Sequence, residues 1–239
     1  MKKVDIMLPV YYRNLPEIEP SIKKQVAFFS KALKNYDWQI VLAINGQNPE
    51  ELITLTKKLH EKNKRITYDY VEQPGKGSGI IHSWMRSKAD IVSYMDIDLA
   101  TDLKDFPSLL SFIDNGYDFS IGSRYKPKSK VKRSFKRWFV SFCYHRIFLK
   151  FFMGVKTYSD AQCGFKAVNI DAAKKLLPLV RNKNWYFESE LLYIAEKKGY
   201  SIHEIPVTWT ESDFSGLKLY KAITEFLKCS FELRFRRKL

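Results

Sequence analysis

Residues 91 to 102 read Ile91-Val92-Ser93-Tyr94-Met95-Asp96-Ile97-Asp98-Leu99-Ala100-Thr101-Asp102, a strand-like run that passes without a break into a cluster of carboxylates. A short run with so little alternation suits a strand covered on both faces, as in a parallel sheet. Val4 to Pro9, Trp38 to Ile44 and Ile66 to Val71 have the same character, and Asp118 to Gly122 reads as extended. Helical periodicity over Glu19 to Lys34, Glu50 to Lys62, Gly79 to Lys88 and Asp105 to Asp114 separates these strands. The alternation predicts an α/β sandwich around a mostly parallel sheet, with ligands bound at the carboxyl ends of the strands.

That is where Asp96 and Asp98 fall. Carboxylates at i and i+2 converge on one pocket if the backbone turns there, and two hard oxygen ligands suit Mg²⁺ or Mn²⁺, ions that complete their shells with waters and substrate phosphates. From the residues alone, an Asp-X-Asp is equally a helix N-cap.

The 41 lysines and arginines exceed the 26 aspartates and glutamates by a net charge of +15, and the excess is localised. Residues 126 to 156 carry ten basic side chains and no acid, and residues 217 to 239 carry the remaining +5. Such patches select a polyanionic surface. Between Phe135 and Met153 the basic residues interleave with many aromatic and aliphatic ones. On a helix, Arg137, Ser141 and His145 form one stripe, while Lys132, Lys136, Arg146 and Lys150 gather on another. Leu219, Ala222, Ile223 and Phe226 repeat the amphipathic pattern before a basic end. Anionic lipid is therefore expected as the partner, and nucleic acid is not, since no binding motif accompanies the charge.

No stretch reaches the roughly 18–20 uninterrupted apolar residues of a spanning helix, and the start of the chain does not read as a signal peptide. Three widely spaced cysteines, Cys143, Cys163 and Cys229, fit neither a disulfide framework nor a CxxC zinc site.

The run from Tyr94 to Thr101, followed by Gly116-Tyr117-Asp118 and Ile121-Gly122-Ser123-Arg124-Tyr125, resembles the family 2 glycosyltransferases that make polyprenyl-phosphate sugars. Further blocks match in order: Pro74-Gly75-Lys76-Gly77-Ser78-Gly79, Asp160-Ala161-Gln162-Cys163-Gly164-Phe165-Lys166, Trp185 to Leu192, and Glu204 to Glu211. The resemblance spans almost the whole chain and implies a single GT-A (Rossmann-like) domain with amphipathic interfacial helices. Residues 1–125 would be the nucleotide-sugar-binding core, 126–156 a membrane-interface segment, 157–216 the acceptor-side part of the core, and 217–239 a basic C-terminal helix. The enzyme would be cytoplasmic and peripherally held at the membrane.

The implied reaction moves a hexose, glucose from UDP-glucose in the first instance, onto polyprenyl or dolichyl phosphate with inversion. Asp96 and Asp98 would hold the metal beside the leaving diphosphate, with Arg124 as a second countercharge. Pro9, Tyr11, Asn45, Lys76, Asp160, Gln162 and Glu190 would line the nucleotide-sugar site. Arg133, Arg137 and Ser141 would receive the lipid phosphate, already anionic at neutral pH and in no need of a strong base. The chain departs from the family in two places. The acid of the first loop is missing from Pro9-Val10-Tyr11-Tyr12-Arg13, leaving Glu17 as its nearest substitute, and the usual acidic pair after the second strand reads Asn45-Gly46. Ala100 supplies no extra metal ligand. A different lipid or envelope-glycan acceptor, or a non-catalytic basic membrane module, are the alternatives.

Overall fold

The computed structural model describes residues 1–211 and 219–236. Strand β1 (Lys2–Val10) runs through the centre: Val4, Ile6, Leu8 and Val10 pack into one apolar layer and Met7 into the other, all essentially inaccessible. Around it β2 (Tyr36–Asn45), β3 (Ile66–Val71), β4 (Ile91–Met95), β5 (Phe119–Ser123), β7 (Phe165–Asn169) and β8 (Ile202–Pro206) complete a seven-stranded sheet in the order β3-β2-β1-β4-β7-β5-β8. All pairings are parallel except those of β7, which runs antiparallel to both β4 and β5. A separate parallel pair joins β6 (Lys130–Lys132) to β9 (Thr208–Thr210).

Helices α1 (Leu15–Ala32), α2 (Glu50–Lys62) and α4 (Phe106–Asp114) bury Ile18, Phe29, Leu52 and Phe106 on one face of the sheet. Helices α3 (Lys76–Arg86), α6 (Ile170–Leu176) and α7 (Phe187–Lys197) bury Trp84, Leu176 and Leu192 on the other. The basic segment joins this second layer as α5 (Phe135–Phe142), which continues into a π-helix (Cys143–Phe152). Helix α8 (Leu219–Arg234) lies against it through Leu233, Phe226 and a Phe148–Phe152–Phe231 aromatic cluster.

Two details of the basic segment differ from the sequence reading. Lys132 stands in strand β6, so it does not continue the Arg146–Lys150 stripe. From Cys143 the wider π-turn replaces the α-helical one, as the Met153 N–H to Phe148 carbonyl bond across five residues shows. The Arg137–Ser141–His145 stripe survives because the π-turn begins only two residues before its last member. Residues 212–218 and 237–239, including the Arg237 and Lys238 of the expected basic end, lie outside the described residues. Among the described residues no helix is long and apolar enough to cross a membrane, and all three cysteines are free.

Candidate active site

At the carboxyl ends of β1, β2 and β4 the sheet opens into a cavity of about 1220 Å³. It is lined by Pro9, Tyr11, Glu17, Asn45, Lys76, Asp96 and Asp98 from the sheet side, and by Arg124, Arg133, Arg137, Ser141, Gln162 and Trp209 from the other. The sequence-nominated residues thus converge, with two exceptions described below.

Strand β4 ends in the turn the carboxylate pair requires. Leu99 takes a left-handed φ of 54°, unusual for a branched side chain, and the Ala100 N–H donates to Asp98 Oδ1 at 3.0 Å. Asp98 is exposed and Asp96 half-buried. Gly164 makes room for Asp96, because a Cβ there would lie 2.6 Å from the Asp96 carboxyl carbon. Burial raises the Asp96 pKa, and the neighbouring charges of Asp98 and Glu188 raise it further, against the opposing effect of Lys76.

Lys76 opens α3 after Gly75, whose φ of 129° and close approach to the Lys183 carbonyl leave no space for a side chain. The sequence reading puts this lysine in the lining of the nucleotide-sugar site. In the structure its ammonium lies 2.8 Å from Asp96 Oδ1 and 2.8 Å from Glu188 Oε1, so both carboxylates already occupy it. Burial opposes its charge, but the two carboxylates outweigh that and raise its pKa. Glu188 in turn meets the buried Lys166 at 2.8 Å, which also donates to the Tyr94 hydroxyl and the Cys163 carbonyl. Although burial alone would raise it, the two lysines hold the Glu188 carboxyl down at about 2. Asp96, Lys76, Glu188 and Lys166 form one alternating chain of charges, and Lys76 positions Asp96 from beneath.

At the far end Asn45 faces the cavity but its amide ties backbone together: Nδ2 donates to the Val10 carbonyl and Oδ1 accepts from the Gly75 N–H, each at 3.0 Å. Tyr11 is exposed there, edge-on to Tyr12. Glu17 lies in the same wall, its carboxylate accepting from Asn14 Nδ2 at 3.1 Å.

On the opposite wall Arg124 pairs with Asp160 in a bidentate fork, Nε to Oδ2 at 2.8 Å and Nη2 to Oδ1 at 2.9 Å. Asp160 is fully buried and does not line the cavity. Its predicted place in the sugar pocket is therefore corrected: it orients Arg124 from behind, as a buried carboxylate between a guanidinium and His145 must. Despite burial, Arg124 keeps the Asp160 carboxyl well below the usual range. Trp209 stacks beneath both Arg124 and Arg133, at 5.3 and 5.4 Å. Arg137 Nη1 donates to Glu211 at 2.9 Å, and Ser141 shares a 2.6 Å hydrogen bond with the Tyr125 hydroxyl. Gln162 donates to Ser189 from the cavity wall.

Glu190 is the second correction. It is buried away from the cavity, accepting the Arg181 and Asn182 N–H groups and the Arg236 guanidinium. The carboxylate of α7 that turns towards the site is Glu188, which stays buried behind the cavity wall and meets Lys76 there. Two residues apart on a helix means about 200° of rotation, so only one of the pair can face inward. Sequence reasoning assigned no role to Glu188, Lys166 or Glu211; paired opposite charges on separate buried elements leave no local signature.

Asp96 and Asp98 fit a small divalent ion: both donors are hard oxygens and Asp98 is accessible. Among the described residues no group of three or more His, Cys, Asp or Glu side chains is placed to hold a metal, and an ion held by these two carboxylates would be of the kind that fills its shell with waters and phosphates.

A glycosyl transferase family 2 model matches residues 5–177, and the chain belongs to that family. Its fold is the GT-A fold. Solved structures with this architecture include glucosyl-3-phosphoglycerate synthase from Mycobacterium tuberculosis (TM-score 0.66, 13% identity, covering 98% of this chain and 80% of that one). Mannosyl-3-phosphoglycerate synthase from Rubrobacter xylanophilus gives a TM-score of 0.71 at 12% identity, over 99% and 75% of the two chains. Among curated proteins, the glycosyltransferase AglD of Haloferax volcanii is 27% identical over 226 residues, 92% of this chain but only 35% of its own length. The dolichyl-phosphate beta-glucosyltransferase of Dictyostelium discoideum is 26% identical over 245 residues, 98% of this chain and 74% of its own.

Proposed function

We propose that the protein transfers a hexose, glucose from UDP-glucose, onto a polyprenyl phosphate at a membrane surface, with inversion. The observation that carries this is the continuity of one cavity: carboxylates at one end, arginines at the other, and beyond the arginines an apolar wall of Phe139, Val140, Phe148, Ile223, Phe226 and Leu227. A small hydrophilic phosphate has no use for that wall; a prenyl chain does. The similarity to dolichyl-phosphate beta-glucosyltransferases supports the acceptor class, and a structural neighbour solved with Mn²⁺, UDP and phosphoglyceric acid supports the donor and metal classes.

Each group has a task in such a transfer. Tyr11 offers a face on which a base can stack, and Lys76 with Gly164 fixes the Asp96 carboxylate. A divalent ion on Asp96 and Asp98 would supply Lewis acidity to the departing diphosphate. Arg124, held rigid by Asp160 and Trp209, presents permanent positive charge to the same region. Arg137, Ser141 and Arg133 hold the acceptor phosphate, whose anionic oxygen attacks the anomeric carbon opposite the leaving group, so configuration inverts. No protein base is needed, because the nucleophile carries no proton to remove.

The outer face suits a bilayer. Phe135, Phe151 and Phe235 are 77%, 84% and 68% exposed, alongside Trp138, Phe139, Ile147 and Phe231, with Arg146 and Arg234 at the surface. Exposed aromatics edged by basic residues are the composition of an interfacial anchor. The test is a panel of UDP- and GDP-sugars with Mg²⁺ or Mn²⁺, with and without short-chain polyprenyl phosphate. Glucolipid should form only with the phosphorylated prenol. Activity on another acceptor that survives Arg137→Ala with Ser141→Ala would shift the assignment to that acceptor.

A further inference from the structure

Glu211 follows β9 and is fixed by its own N–H to the Lys132 carbonyl of β6, at 2.9 Å. Its carboxylate reaches across to the start of α5. Oε2 accepts the Ser134 N–H at 3.1 Å and Oε1 accepts Arg137 Nη1 at 2.9 Å. It faces the cavity at the point where Arg133 and Arg137 converge. Although burial alone would raise its pKa, the Ser134 N–H and Arg137 hold Glu211 below the ordinary glutamate range, so it is ionised at neutral pH.

The pairing is incomplete. Arg133 Nε is 3.7 Å from Glu211 Oε1, beyond hydrogen-bonding distance, and this buried N–H has no partner. A buried guanidinium N–H without an acceptor is costly and marks a place prepared for an anion. Among the described residues Arg124, Arg133 and Arg137 outnumber the two carboxylates paired with them, Asp160 and Glu211, by one charge.

We propose that Glu211 acts as a charge filter for the acceptor: its carboxylate stands in the anion position beside Arg133 and Arg137, and a phosphate monoester dianion displaces it where a singly charged head does not. This rests on the polyprenyl-phosphate reading above. A monoester offers three non-ester oxygens, enough for Arg137 Nη1 and the unpartnered Arg133 Nε together, and two charges to replace one. A phosphodiester brings the same single charge as Glu211 and gains nothing that compensates for breaking the Ser134 and Arg137 bonds. The displaced carboxylate, already one-fifth exposed, turns to water.

The experiment compares binding of citronellyl phosphate and its methyl diester to the full chain by titration calorimetry at pH 7.5 and constant salt. It uses the wild type, Glu211→Gln, and Glu211→Ala as a second charge-free variant, with circular dichroism to confirm folding. The wild type should prefer the monoester. Removing the charge should tighten both ligands by a similar factor and raise diester affinity at least tenfold above its wild-type value, while Glu211→Asp should leave both affinities within about threefold of wild type. If neither ligand binds more tightly in the charge-free variants, or both weaken together, Glu211 merely holds the arginines and the filter is refuted. Should the wild type bind neither ligand, the polyprenyl-phosphate reading falls and the filter with it.

Discussion

Replacing Glu188 by Gln keeps the shape of the side chain and removes one negative charge from the centre of the molecule. Glu188 is 2% exposed and bridges two lysines, Lys76 and Lys166, themselves 8% and 1% exposed. After the change Lys76 still has Asp96, but Lys166 keeps only the Tyr94 hydroxyl and the Cys163 carbonyl, so one buried ammonium is left without a counter-ion. Removing one partner of a buried pair costs about 3–5 kcal/mol, because the remaining charge stays desolvated. For a chain of this size each kcal/mol lowers the melting temperature by about 2–4 °C, so a fall on the order of 6–20 °C is expected in thermal unfolding followed by circular dichroism. Adding Lys166→Met, which removes the stranded charge, should restore most of the loss. A shift under about 3 °C in the single variant, or no recovery in the double, would refute the alternating network and with it the positioning of Asp96 through Lys76.

The same network makes a pH prediction. Glu188 titrates at about 2 in the fold against an ordinary 4.5, so its contribution is present above pH 4.5 and disappears as pH falls towards 2. That amounts to about 3 kcal/mol, read as a falling urea midpoint over this window that is absent in Glu188→Gln. Gly164→Ala should weaken Mn²⁺ binding, measured by electron paramagnetic resonance, at least tenfold, because the added methyl pushes Asp96 aside; unchanged affinity would remove Asp96 from the metal site. Phe151→Glu with Phe235→Glu should lower binding to anionic vesicles about tenfold or more, and raised salt should weaken the wild type. Association indifferent to both would end the interfacial reading.

Much of this was legible in the sequence because it is carried by local pattern. The unbroken apolar runs of β1 to β4 gave those strands within a few residues, and the strand-to-carboxylate passage at Met95–Asp96 located the site at their ends. Strand β7 escaped because antiparallel insertion between β4 and β5 is a matter of topology, with no periodicity to announce it. Motif matching put Asp160 and Glu190 in the nucleotide-sugar site but could not see which way they face. Asp160 serves Arg124 from the buried side, and Glu190 serves the 181–182 backbone and Arg236. Lys76 reads as a free cation of the nucleotide-sugar site until Glu188, over a hundred residues away, is found beside it. Such pairings become visible only when the chain is folded.

The most direct measurement follows UDP release and labelled glucolipid in parallel, with Mn²⁺, UDP-glucose and a polyprenyl phosphate, for the wild type, Asp98→Ala and Arg137→Ala. Asp98→Ala should lose both signals. Arg137→Ala should keep Mn²⁺-dependent binding of UDP and lose the glucolipid. Undiminished glucolipid from Arg137→Ala, or from Asp98→Ala, would contradict a single cavity in which the two ends hold donor and acceptor.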